Sequence, residues 1–225
     1  MNARILNFQE VVNAGRWRPE LFIELANEYA ASDWPMMALK DLVEESGEAI
    51  SPLDYPENKV IYIGLENVES VTGEALGLLP VDKQSIRSRS KVFSPGYILY
   101  GKLRPYLRKA LLVDDSLGQG ICSTEFIVVR PRAELIIPSV LRAILVSERV
   151  TEQLTRHQTG AALPRISSKD FLAVRVPLPP IEIQKELGER IAKLTAAVKD
   201  ARKQINAYPN QLEAEVGQAL YLQPV

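Results

Sequence analysis

Apolar residues recur along this chain with two periods, and the change from one to the other divides it. Residues 16–30 (RWRPELFIELANEYA) place Trp17, Leu21, Phe22, Leu25 and Tyr29 at helical spacing, with Pro19 in the first turn, and predict a short amphipathic helix. Residues 60–68 (VIYIGLENV) are rich in β-branched and aromatic side chains and read as a strand running into a turn. Residues 97–104 (YILYGKLR) read as another strand, launched by Pro95-Gly96 and stopped by Pro105. Side chains alternate across a strand, so Leu99, Gly101 and Leu103 share one face, and Ile98, Tyr100, Lys102 and Arg104 share the other. ALLVDD and STEFIVVRP complete a β-rich centre. IPSVLRAILVSERVTEQLTR then reads as one helix begun near Pro138, with Leu141, Ile144, Leu145, Val150 and Leu154 available for a buried stripe. A loop over 157–170 feeds a last strand, LAVRVPLP.

The pattern changes at Pro180. PIEIQKELGERIAKLTAAVKDARKQINAY has proline at a first helical position and Glu182 and Glu186 close behind it. Apolar or small residues fall at Ile183, Leu187, Ile191, Leu194, Val198, Ala201, Ile205 and Tyr208, close to a heptad seam. That spacing favours a projecting helix with a partner helix over one lying on its own domain. Pro209 is expected to break or kink it, with NQLEAEVGQALYL resuming as a shorter helix. The fold class expected is α+β: a mixed domain over 1–179, then a long coiled-coil helical region over 180–225.

Charge adds a polarity that the sum conceals. The 225 residues carry a formal net charge of -1, yet 83–109 contains eight cations and no acid, while 46–82 holds seven acids against Lys59. Eight cations with Tyr97, Tyr100 and Tyr106 interleaved can contact several phosphates; the alternative is a solvated basic edge strand. One Cys (Cys122) and one His (His157) exclude a disulfide framework and a Cys/His zinc cluster. The N-terminal residues lack the apolar run of a signal peptide, and no stretch nears the roughly 18 apolar residues of a membrane span, so a soluble, cytoplasmic protein is expected.

The search for catalytic chemistry yields little. Asp41 with Glu57-Asn58-Lys59 loosely matches the acid plus E-x-K layout of metal-dependent nucleases, a spacing that also arises by chance. There is no G-x-x-x-x-G-K-[ST] phosphate loop and no nucleophile elbow. His157 reads as a loop residue and Cys122 as a small buried apolar group.

Read in order, YIGLENV, SPGYILYGKLRPYLRK, CSTEFIVVRP, TGAALPRIS and VPLPPIEIQKEL resemble the specificity subunit of type I restriction-modification systems, over about 60–207. The resemblance implies a non-catalytic subunit that reads duplex DNA and holds the modification (methyltransferase) and restriction subunits on it. S-adenosylmethionine, ATP and Mg²⁺ then belong to those partners, and this chain needs no cofactor or metal of its own. A typical member carries two target-recognition domains and two spacer helices; one of each here looks like a half-subunit, which would homodimerise through the helix and read a bipartite target. Within that frame Lys102 and Arg104 are the candidates for phosphates, and Arg87, Arg89, Lys91 and Arg165 for groove contacts, because arginine can donate two bonds to guanine. Tyr106, Arg108 and Lys109 complete the candidate DNA face. Ile183, Leu187, Ile191, Leu194, Val198 and Ile205 form the candidate dimer or partner seam. The competing readings are an interaction subunit that binds methyltransferase without reading DNA, and a metal-dependent nuclease.

Overall fold

A computed structural model describes residues 33–46, 49–157 and 163–221. The helix expected over 16–30 lies outside them. In chain order come β1 (Met36–Ala38), α1 (Leu39–Leu42), β2 (Val43–Glu45), β3 (Lys59–Ile63), β4 (Pro80–Asp82), β5 (Ser90–Phe93), β6 (Ile98–Gly101) and β7 (Ala110–Leu112). These are followed by β8 (Gly120–Ser123), β9 (Phe126–Pro131), α2 (Pro138–Leu145), α3 (Glu148–His157), α4 (Ser168–Ala173), β10 (Arg175–Pro177) and α5 (Ile181–Tyr221).

The strands form two four-stranded sheets, β2-β9-β6-β7 and β4-β3-β8-β5, and a small pair, β1-β10. The first sheet is antiparallel throughout, whereas β3 and β8 run parallel in the second. Alternation along β6 and β9 explains the layering. Ile98, Tyr100, Ile127 and Val129 pack with Leu141, Leu145, Leu154 and Phe171 of the helices. Leu99, Phe126 and Val128 face the other way, onto Ile63, Phe93 and Cys122 of the second sheet. A sheet covered on both faces needs apolar residues at every position, which is why Phe126 to Val129 is one continuous apolar run. Each large side chain buried this way contributes about 1.5–3 kcal/mol. Burial pushes the Cys122 thiol up to about 12, so it stays protonated and acts as packing.

Four expectations change. The strand expected over 97–104 ends at Gly101, where the hydrogen-bond partner on one side changes from Lys109 to the 164–166 segment; Tyr100 packs on Phe171, with ring centroids 4.9 Å apart. Arg104 then adopts a left-handed conformation (φ 51°), so the alternation does not carry on through Arg104. The helix after Pro138 is two helices: α2 stops at Val146 (φ -93°, ψ 4°), and the Ser147 hydroxyl accepts from Val150 N–H and its carbonyl from Thr151 N–H, starting α3. Of the loop expected over 157–170, residues 158–162 lie outside the described residues; α3 reaches His157, and Ser167 caps α4 by accepting from Asp170 N–H at 3.0 Å.

Finally, α5 is one 41-residue helix that passes through Pro209. The stretch is solvent-exposed, where water can take the place of the missing N–H. Its start is fixed to the domain by Gln184, which is 1% exposed. Gln184 Nε2 donates to the Leu135 and Pro179 carbonyls at 3.0 and 2.9 Å, and its Oε1 accepts from Ile137 N–H at 2.9 Å. The Pro-Pro-x-x-x-Gln sequence is therefore a socket that seats the helix beside α2. The helix does not simply project: its first turns pass Ser139 and Val140, and Arg202 reaches back to the domain.

Candidate nucleic-acid interface

Beyond Gly101 the chain leaves β6 and zips onto a second segment. Lys102 N–H donates to the Glu125 carbonyl at 2.8 Å, and Ile166 N–H donates to the Lys102 carbonyl at 3.2 Å. Leu103 bridges Arg165, and Arg104 N–H donates to the Pro164 carbonyl at 2.7 Å. Two stretches about sixty residues apart, GKLRP and LPRIS, thus become one short ladder, which brings Arg165 beside Lys102.

Two carboxylates organise the cations here. Glu125 accepts a fork from Arg165, with Nε and a terminal nitrogen at 3.1 and 3.3 Å. Glu45, at the end of β2, lies 3.8 Å from the Lys91 ammonium and accepts from Ser168 at 2.7 Å. Lys102 stands among all four. Burial first, then the Lys91 charge, and last Arg165 hold its ammonium below the ordinary lysine range, opposed by Glu125 and Glu45. Its proton is kept at an electrostatic cost, which an added anion relieves.

Of the other candidates, Arg87, Arg89 and Arg104 are exposed. Arg89 donates to the Ala49 carbonyl. It precedes Lys91 by two residues on the segment that pairs Ser90 with Ile50. Tyr106 is half exposed on a short 3-10 turn, Pro105–Leu107, flanked by left-handed Arg104 and Arg108. The structure does not gather Arg108 and Lys109 onto this face. Arg108 approaches Glu148 of α3 at 3.7 Å, and Lys109 Nζ donates to the Leu65 carbonyl at 2.7 Å, so both serve internal contacts. The organising acids Glu45 and Glu125 escape a reading for positive charge. A lone acid at the entry of the apolar run EFIVV is the signal that could have found Glu125.

On α5, Leu187 and Ile191 are half-buried, whereas Ile183, Leu194, Val198 and Ile205 are exposed, Leu194 and Ile205 at 69%. The seam continues beyond the expected break through Tyr208 and Leu212, also exposed. Asp41 lies on α1 beside the first sheet, while Glu57 and Lys59 lead into the second. Among the described residues no three His, Cys, Asp or Glu side chains are grouped so as to hold a metal ion, and no helix is long and apolar enough to cross a membrane.

Comparison with known proteins gives a consistent picture. The family model described as "Type I restriction modification DNA specificity domain" matches residues 31–208. The specificity subunit of the type I restriction enzyme EcoDI from Escherichia coli is 27% identical over 175 residues, 78% of this chain and 38% of that protein. The HindI specificity subunit from Haemophilus influenzae is 25% identical over 203 residues, 84% of this chain and 40% of that one. Among solved structures, the HsdS subunit from Thermoanaerobacter tengcongensis is similar with a TM-score of 0.67 at 25% identity, over 87% of this chain and 50% of the other. A chain from a structural study of complex assembly and conformational transition of the type I R-M system gives 0.65 at 26% identity, over 84% and 48%. The chain spans about two-fifths of the length of these curated relatives and half that of the solved chains. The match over most of the chain, the shared α+β architecture and the long closing helix lead to one conclusion: this chain belongs to the type I restriction-modification DNA specificity family.

Proposed function

We propose that this chain reads a short duplex DNA sequence through the face built round Lys91, Lys102 and Arg165, and that α5 is the strut that spaces this reading head from a second one. Residues 1–179 form the reading domain and 180–225 the strut. The observation that carries the reading is Lys102, half buried between Lys91 and Arg165 and held below the ordinary lysine range. A DNA phosphate adds negative charge beside an ammonium that burial and Lys91 disfavour more than Glu125 and Glu45 favour it. Arg87, Arg89, Arg104 and Tyr106 extend the face, and Arg165, already splayed as a planar fork, suits a guanine edge in the major groove. Arg108 and Lys109 are assigned to holding the 3-10 turn that presents Tyr106.

One small domain covers few base pairs, too few for genome-scale specificity. The exposed seam through Leu194, Val198, Ile205 and Tyr208 supports pairing with the same helix of a second copy, antiparallel, so that two heads read a split target. At 1.5 Å per residue α5 spans about 61 Å, so half-targets one to nearly two DNA turns apart are within reach. The flanks of the paired helices receive the methyltransferase subunits, which bring S-adenosylmethionine, and the restriction subunits, which bring ATP and Mg²⁺. The decisive experiment maps adenine methylation in plasmid DNA, with the methyltransferase subunit present, with and without this chain. A split, position-specific mark that requires the chain and vanishes in Lys102→Ala/Arg165→Ala supports the reading. Methylation that is unchanged by the chain, while the chain still binds the methyltransferase, overturns it in favour of a subunit that only engages its partner.

A further inference from the structure

Glu69 and Glu74 stand at the two feet of a tight loop between the 3-10 turn Leu65–Asn67 and β4. The loop is braced. Glu69 N–H donates to the Glu74 carbonyl at 2.9 Å, and Gly73 N–H to the Glu69 carbonyl at 3.1 Å. Val71 takes φ 66°, a costly left-handed conformation for a β-branched residue, and is held there from both sides. Its N–H donates to the Arg108 carbonyl at 3.1 Å, and its carbonyl accepts from Arg142 Nη2 at 2.5 Å, while Arg142 Nε donates to the Ala110 carbonyl at 3.0 Å. At Gly73 (φ 64°) a Cβ would stand 2.0 Å from the Ala110 carbonyl, so the loop lies directly on β7. Strain is thus maintained to present two carboxylates together. From α5, Arg202 fills the position between them, one terminal nitrogen donating to Glu74 and the other to Glu69. All three side chains are partly withdrawn from solvent.

We infer that Arg202, gripped by Glu69 and Glu74, is a positioning residue that fixes the direction of α5 on the domain and thereby the separation of two half-targets; the second step rests on the DNA-reading function proposed above. The lever is simple. Gln184 seats the helix, and Arg202 lies 18 residues further on, about 27 Å along the axis. A rigid helix held only at Gln184 moves Arg202 by about 3.4 Å, one base-pair rise, for a swing of about 7°. A second anchor at that distance suppresses the swing. Its planar guanidinium bonds both carboxylates in a fixed geometry, which a flexible ammonium cannot do. Pairs this accessible contribute little to overall stability, so the consequence falls on geometry.

The test uses the full chain with spin labels at Ser116→Cys and Glu213→Cys, diluted with unlabelled chain so that only distances within one molecule are read. Arg202→Glu is expected to broaden the distance distribution at least twofold, and Arg202→Glu combined with Glu69→Arg and Glu74→Arg to narrow it again. An unchanged width in Arg202→Glu overturns the inference. In methylation mapping on half-targets with varied spacers, the parent marks one spacing and Arg202→Glu also marks spacings one base pair longer and shorter. A single retained spacing despite a broadened distribution overturns the specificity role. A parent chain that directs no sequence-specific mark would instead refute DNA reading, and the distance comparison would still decide whether Arg202 anchors the helix.

Discussion

The Arg165 guanidinium spans both carboxylate oxygens of Glu125, at 3.1 and 3.3 Å, while the Glu125 backbone carbonyl accepts from Lys102 N–H at 2.8 Å. One residue therefore orients the arginine and fixes the segment that carries the lysine. Glu125→Gln weakens that hold and removes a negative charge from the face. Binding to random-sequence duplex is expected to strengthen several-fold, while discrimination for the target falls about tenfold, or about 1.4 kcal/mol. Anisotropy titrations with target and scrambled duplexes measure both.

Lys102 carries a charge that its surroundings disfavour, by burial first and by Lys91 next. Between its lowered folded value and the ordinary value of an unfolded lysine, the unfolded chain binds more protons, so this residue's contribution to stability rises with pH across that window. DNA reverses the balance. A phosphate beside the ammonium raises its value, so complex formation takes up a proton and affinity falls as pH climbs through the same window. Calorimetry in buffers of different ionisation enthalpy should detect that uptake, and Lys102→Met should abolish it. The same substitution should make the slope of log affinity against log salt shallower by about 1. Unaltered proton linkage in Lys102→Met would remove this residue from the interface.

Gln184 makes three hydrogen bonds from a buried position, two as donor to Leu135 and Pro179 and one as acceptor from Ile137. Gln184→Ala leaves those backbone groups unpaired. The expected loss is about 3 kcal/mol, read as a lower urea midpoint. If the cost stays below about 0.5 kcal/mol, the side chain is not the socket described here.

Leu194 and Ile205 are each 69% exposed in the single chain, as a seam awaiting a partner would be. Leu194→Glu/Ile205→Glu should convert a dimer at micromolar concentration into a monomer by sedimentation, with the domain's thermal unfolding unchanged because neither side chain packs on it. A parent chain that already sediments as a monomer without methyltransferase would count against the homodimer.

The hydrophobic pattern by itself determined the α+β class, the β-rich centre, the helical start after Pro138 and the long helix from Pro180, because period and proline position act locally on the backbone. The polarised charge over 83–109 likewise marked most of the candidate face. Tertiary structure decided the rest. The switch of partner from Lys109 to 164–166 and the left-handed Arg104 end β6 early, Ser147 splits one helix into two, and Pro209 is carried inside a continuous helix that water can solvate. Partner choice also lay beyond the pattern: Arg165 meets Glu125, Lys109 turns to the Leu65 carbonyl, and Arg202 reaches Glu69 and Glu74. These pairs join residues far apart in the chain. Periodicity reports which face a side chain occupies, whereas the fold alone brings the opposite charge or the free carbonyl to meet it.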